Sequence, residues 1–219
     1  MNYQTPNLNR RTFASTNAQT VAQRVQLLQE LVPEARSIAE LCCGDCYRQW
    51  RAYTEMGNEV RFLGLDIEPN IVEQNKARGI PCLQGDVLDK GVLAQFSDFD
   101  VVFFGPPLSE DCDGHRLLSF QQVVPAYLDV AQLLVGELAF NGVFVCICPK
   151  TTSMGDINWL YEQMRRHRPE MGLRLIHHSH STIRSNGETT DRRLKYIELW
   201  FSAVLPDAWE LRISQPERV

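Results

Sequence analysis

Apolar residues fall along this chain in two rhythms. Mostly apolar runs at 37–41, 60–67, 80–84, 99–104 and 143–148 have the length of strands. Between them lie longer stretches in which apolar residues recur every three or four positions, at 47–56, 69–77, 88–96, 120–139 and 156–167. An earlier stretch, 18–31, carries Val21, Val25, Leu28 and Leu31 on one helical face. Continuous runs suit strands buried on both faces of a parallel sheet. The punctuation agrees: Pro33, Gly57-Asn58 and Gly79 close helices, and Pro69 suits a first helical turn. Two last apolar runs, 174–183 and 196–204, flank a polar link at 184–194, the pattern of a hairpin with a mobile loop. Alternating strands and helices imply an α/β fold in three layers, α/β/α. Seven strands are expected, mostly parallel, with the last one antiparallel. There is no internal repeat, and the 219 residues are expected to form one domain.

Composition narrows the setting. Hydrophobic residues make up 44% and charged residues 22%, the balance of a soluble globular protein. No apolar run approaches the ~18 residues of a membrane span. Residues 1–20 are polar and lack the apolar centre of a secretion signal, so a cytoplasmic protein is expected. A net charge of −5 argues against a surface that grips nucleic acid everywhere. One region runs the other way, with Arg165, Arg166, Arg168, Arg174, Arg184, Arg192, Arg193 and Lys195. It suits RNA phosphates, an acidic small molecule, or plain solvation of a helix and hairpin. Seven cysteines, several inside strand runs (Cys82, Cys146, Cys148), fit reduced, buried thiols. Cys43-x-x-Cys46 and Cys112-x-x-His115 also have the spacing of zinc ligands. A metal there would crowd the mouth described next, so none is expected.

Ligands of open α/β sheets bind outside the carboxyl ends of the strands. Those ends carry Glu40, Asp66, Asp86 and Gly105. At the first, Ser37-Ile-Ala-Glu-Leu-Cys-Cys-Gly-Asp-Cys46, a strand stops at a Gly44 turn and feeds a helix. Gly44 lets the backbone approach a ligand, and the free N–H groups of the helix start face it. This acidic-x-Cys-Cys-Gly stretch, with acidic ends on the next two strands, resembles class I S-adenosylmethionine-dependent methyltransferases. The resemblance implies a Rossmann-like methyltransferase fold. It assigns residues 1–34 to an arm and a helix that lids the cofactor, 35–150 to a cofactor-binding half and 151–219 to a substrate side. It also implies S-adenosylmethionine held by Glu40, Gly44, Asp66 and Asp86, with Cys42, Ile67 and Val87 lining the adenosine. Cys46 stands where the family often has glycine.

Gly105-Pro106-Pro107-Leu108 resembles the Asp/Asn-Pro-Pro-Tyr motif of amino-methyltransferases. The rigid double proline is kept, while the side-chain acceptor and the stacking aromatic are absent at Gly105 and Leu108. Asp111, Asp113 and His115, on the loop that follows, are placed where a hydroxyl nucleophile would need a base. His177, His178 and His180 alternate along a strand, so at least one faces inward. The expected function is methyl transfer to a nitrogen or oxygen of a nucleobase-like or small planar substrate, by a monomer or homodimer. The alternatives are a catalytically silent S-adenosylmethionine-binding protein and an NAD-dependent oxidoreductase. The second of these lacks the full Gly-x-Gly-x-x-Gly fingerprint.

Overall fold

The computed structural model describes residues 16, 18–56, 59–108, 119, 122, 129–130, 142–183, 189–206 and 211–213. The described chain begins with helix α1 (Ala18–Leu31). It then alternates β1 (Ser37–Leu41), α2 (Tyr47–Thr54), β2 (Arg61–Asp66), α3 (Pro69–Ala77) and β3 (Cys82–Gln84). A short α4 (Lys90–Leu93), β4 (Val101–Phe104), β5 (Val143–Pro149) and α5 (Met154–His167) follow. The last described elements are β6 (Gly172–Ile183), β7 (Thr189–Ser202) and β8 (Leu211–Ile213).

One sheet holds all eight strands, in the order β3-β2-β1-β4-β5-β7-β6-β8. β1 to β5 pair in parallel, and β7 runs antiparallel to both β5 and β6. The seven expected strands are present. β8 is an addition, pairing in parallel with β6 over three residues too few to leave an apolar pattern. β7 also starts earlier than its apolar run: the polar residues from Thr189 pair with β6, because ladder bonds use backbone and need no apolar side chain. The helix expected at 88–96 is a single turn, α4, followed by a 3-10 turn at Ala94–Phe96. Asp89 caps it, accepting from the backbone N–H groups of Gly91 and Val92. α5 starts at Met154, two residues before its apolar period, because Ser153 and Asp156 form a reciprocal capping box. Residues 1–15, the loop 109–118 and most of the helix expected at 120–139 lie outside the described residues.

Two apolar layers sandwich the sheet. Leu27, Leu28, Ile38, Tyr53, Phe62, Phe103, Val145 and Trp200 fill the side under α1, α2 and α3. Ala39, Leu41, Phe96, Phe104, Phe144, Ile157, Leu160 and Phe201 fill the side under α4 and α5. Alternation along each strand sends neighbours to opposite layers, as Phe103 and Phe104 show. All four residues of β4 are buried, which is why it reads as a continuous apolar run. Phe103 stacks on Tyr53 at 5.7 Å and meets Trp200 edge-on at 5.7 Å. Among the described residues no helix is long and apolar enough to cross a membrane.

Candidate active site

The strand order reverses at β1, whose neighbours are β2 on one side and β4 on the other. A crevice opens at such a switch point, outside the carboxyl ends of the strands. The turn after β1 stands at this point of the sheet. Cys42 and Gly44 both adopt left-handed backbone, with φ of 58° and 54°. Glycine accepts this freely, whereas a side-chain-bearing residue is strained there. Cys43, between them, donates its N–H to the Leu65 carbonyl of β2 at 2.9 Å, which pins the turn against its neighbour.

Asp66 closes the same corner from β2. Its carboxylate accepts from Gly44 N at 2.9 Å and from Glu68 N at 3.0 Å, one oxygen each. A carboxylate oxygen can accept twice, so each keeps capacity for a further donor. Burial raises the Asp66 carboxyl above its ordinary value, and the N–H groups of Glu68, Gly44 and Ile67 pull in the other direction. Asp86, after β3, is exposed and accepts from Leu88 N at 2.9 Å. The Cys42 thiol is held protonated, by burial first and then by the charges of Asp66 and Asp86. Asp66 holds the turn directly, and the charge of Asp86 is felt at its Cys42 thiol. Ile67 is 52% exposed, an unusual position for a large apolar side chain, while Val87 is buried. On the β4 side, Gly105 extends the ladder by donating to the Leu41 carbonyl at 3.1 Å. A Cβ on Gly105 would sit 3.1 Å from the Ile147 Cδ1, so a larger residue there requires that side chain to shift by a few tenths of an ångström. Pro106 is buried, and Pro107 and Leu108 are half-buried.

Glu40 is drawn elsewhere. It points into the layer under α1 and α2 and is 5% exposed. Tyr53 Oη donates to it at 3.3 Å, and Arg24 of α1 lies 3.7 Å away. Arg24 makes its closer pair with Glu198 of β7, at 2.7 Å, and its guanidinium lies 5.0 Å from the Phe103 ring centroid. Trp200 Nε1 donates to the other Glu198 oxygen at 3.0 Å. His178 Nε2 comes within 3.3 Å of that oxygen without hydrogen-bond alignment. Burial pushes Glu40 up to about 7 against the pull of Arg24 and Tyr53. Burial opposes ionisation of Glu198 too, but Arg24 and then His178 outweigh it and bring Glu198 down to about 2.

Of the three histidines of β6, His178 is buried and stacks on Tyr196 at 4.6 Å. His177 is only partly buried, and burial and His178 lower its pKa. The network escaped the sequence reading, although a signal was there. Arg24 falls on the apolar stripe of its helix, and Glu198 sits inside the apolar run of its strand. Asp111, Cys112, Asp113 and His115 lie outside the described residues. Among the described residues no group of three or more His, Cys, Asp or Glu could hold a metal ion. Part of the basic region lines a shallow groove of about 550 Å³ along α5, formed by Asn158, Tyr161, Glu162, Arg165 and Arg166 and by none of the strand ends.

No family model matches the sequence, and no curated relative does. Solved structures match its fold. A SAM-dependent methyltransferase from Agrobacterium tumefaciens superposes with a TM-score of 0.59 at 12% identity, over 86% of this chain and 63% of that one. This chain thus spans less than two thirds of that protein's length. The methyltransferase domain of bacterial CtHen1-C gives 0.55 at 13% identity, over 85% and 97%. The precorrin-6y C5,15-methyltransferase from Geobacter metallireducens gives 0.53 at 14%, over 87% and 93%. The fold is that of the Rossmann-like methyltransferases. The antiparallel β7, inserted between β5 and β6, is the feature that separates this sheet from an ordinary dinucleotide-binding one.

Proposed function

We propose that the chain is an S-adenosylmethionine-dependent methyltransferase acting on a nitrogen or oxygen of a nucleobase-like or small planar substrate. The observation that carries this reading is the corner formed by Asp66 and the β1 turn, with Asp86 beside it. The donor set fits an adenosine. Asp66, with acceptor capacity left on both oxygens, takes the ribose hydroxyls. Asp86 takes the adenine amino group. The exposed Ile67 covers the adenine face, and Val87 backs it. Cys42 and Gly44 bring the backbone close to the ligand. Glu40 acts from below, through the charge it shares with Arg24 under the turn. Bound S-adenosylmethionine supplies a methyl group already activated by its sulfonium.

The protein's part is to orient the acceptor and keep water out. Pro106 and Pro107 set the shape of the turn facing the acceptor. Gly105 has no side-chain acceptor, so a backbone carbonyl of that turn takes the hydrogen bond from an acceptor N–H. Where the nucleophile is a hydroxyl, Asp111 or His115 takes its proton. The substrate is a small molecule, or RNA reached through the basic region around Arg165 and Arg166, and the setting is cytoplasmic.

Calorimetric titration of the full chain with S-adenosylhomocysteine and with NAD tests the cofactor. Binding of the first alone is expected, and binding of NAD alone would replace this reading with the oxidoreductase. Incubation with methyl-labelled donor and fractionated cell extract then finds the acceptor pool. Cofactor binding without label transfer to any fraction would favour a silent binding protein, to which the missing acceptor at Gly105 gives some support.

A further inference from the structure

Thiols meet where the β1 turn passes beside β2. Cys43 leaves the end of β1, Cys82 opens β3, and Gly64 of β2 lies between them. The two sulfurs are 3.7 Å apart. Gly64 makes the room: a Cβ there would stand 2.9 Å from Cys43 Sγ and 3.4 Å from Cys82 Sγ. Asn75 of α3, fully buried, donates to the Gly44 carbonyl at 2.8 Å and lies 3.8 and 3.9 Å from the two sulfurs. One amide thus ties the thiol pair to the turn after β1.

We propose that Cys43 and Cys82 form an oxidisable dithiol that closes to a disulfide over Gly64 and distorts the turn intended for the cofactor. Cys43 and Cys82 stand on opposite sides of β2, so closure brings the sulfurs from 3.7 Å to a bond of about 2 Å only by drawing the edge strand β3 and the turn toward each other. β3 is three residues long and, among the described residues, sits at the sheet edge and pairs only with β2. Local opening of such an edge strand exposes Cys82 to a small oxidant. Cys82 is the attacking sulfur, since hydrogen bonds from Cys43 and Asn75 lower its thiol pKa. Its thiolate attacks hydrogen peroxide, an S–O bond forms as the O–O bond breaks, and the released hydroxide takes a proton to become water. Cys43 then attacks that sulfur as a thiolate, the S–S bond forms, and the hydroxide leaving from sulfur takes the remaining proton as a second water. Two thiols are oxidised by two electrons, and one peroxide is reduced to two waters. The pull reaches the crevice because Cys43 lies between the two left-handed residues, and Gly44 N is held by Asp66.

The crosslink stands on this geometry alone, while its effect on cofactor rests on the methyltransferase reading. The full chain is treated with hydrogen peroxide, its remaining thiols are alkylated, and its peptides are mapped without reduction. A peptide pair joined through Cys43 and Cys82, released by dithiothreitol, is expected. Affinity for S-adenosylhomocysteine should fall at least tenfold and return on reduction, whereas C82S should keep its affinity under peroxide. No crosslink at a dose that oxidises other thiols, or a Cys43–Cys46 bond instead, overturns the pairing. A Cys43–Cys82 bond with unchanged affinity overturns the effect on the turn. Reduced protein that binds no S-adenosylhomocysteine fails the methyltransferase reading instead, and the peptide map still decides the crosslink.

Discussion

Asp66 serves two purposes with one carboxylate. It holds the β1 turn through Gly44 N, and in the proposed function it also takes the ribose hydroxyls. Hydrogen bonds to a charged group contribute roughly 1.5–3 kcal/mol each. Asp66→Ala should therefore weaken S-adenosylhomocysteine binding by about 10- to 100-fold in calorimetry, while circular dichroism retains the native spectrum. Asp66→Asn keeps an acceptor and should fall between. Gly64 is a second position where one atom decides. Its missing Cβ leaves the space that Cys43 Sγ occupies, 2.9 Å from where the carbon would be. Gly64→Ala overpacks that point and should lower stability by about 1–3 kcal/mol in urea unfolding. An unchanged midpoint would mean that the turn yields more easily than its contacts with Leu65 and Asp66 suggest.

At the scale of elements, α1 is held to the sheet by a buried charge as well as by its apolar stripe. Arg24 binds Glu198 across 174 positions of sequence and shares the pocket with Glu40 and Tyr53. Replacing one partner leaves the other buried and uncompensated, at a cost of about 3–5 kcal/mol. Arg24→Met should therefore destabilise the protein by that order. Arg24→Met combined with Glu198→Gln should recover much of the loss, which denaturant midpoints of the pair would reveal.

The two carboxyls also set opposite pH trends. Glu40 is raised from 4.5 to about 7. Its contribution to stability is thus fully present below pH 4.5 and is lost as pH rises through 7. Glu198 is lowered from 4.5 to about 2, so its contribution is present above pH 4.5 and is lost as pH falls through 2. Between pH 5 and 8 the Glu40 trend lowers stability by an amount on the order of 3 kcal/mol at 1.36 kcal/mol per pKa unit. Glu40→Gln should flatten that slope in unfolding experiments across the range. A slope that survives the substitution assigns the titration to another group.

For the whole molecule, one sheet separates two apolar layers, and stability should be graded from its centre to its edges. β1, β4 and β5 are paired on both sides and buried on both faces, while among the described residues β3 and β8 each have one neighbour. Amides of the central strands should exchange with solvent slowest, near the global unfolding limit. β3 should exchange orders of magnitude sooner by mass spectrometry. That same frailty gives an oxidant its route to Cys82.

What the amino-acid order determined by itself was local. Runs of Val, Phe and Leu set the strands, three-to-four spacing set the helices, and acids at the run ends marked the edge where a ligand belongs. Backbone geometry makes these short-range facts, since side-chain period and turn preference act over a few residues. Tertiary structure decided whatever needed partners from distant segments. Glu40 belongs to the acidic series along the chain, yet its strand turns it toward Arg24 of α1 and Tyr53 of α2. Polar residues from Thr189 onward became strand because β6 lay alongside to receive their backbone bonds. The left-handed Cys42 and the pairing of Cys43 with Cys82 depend on how β1 leaves the sheet beside a glycine of β2. Burial and these long-range pairings are properties of assembled surfaces, and no short window of sequence contains both partners.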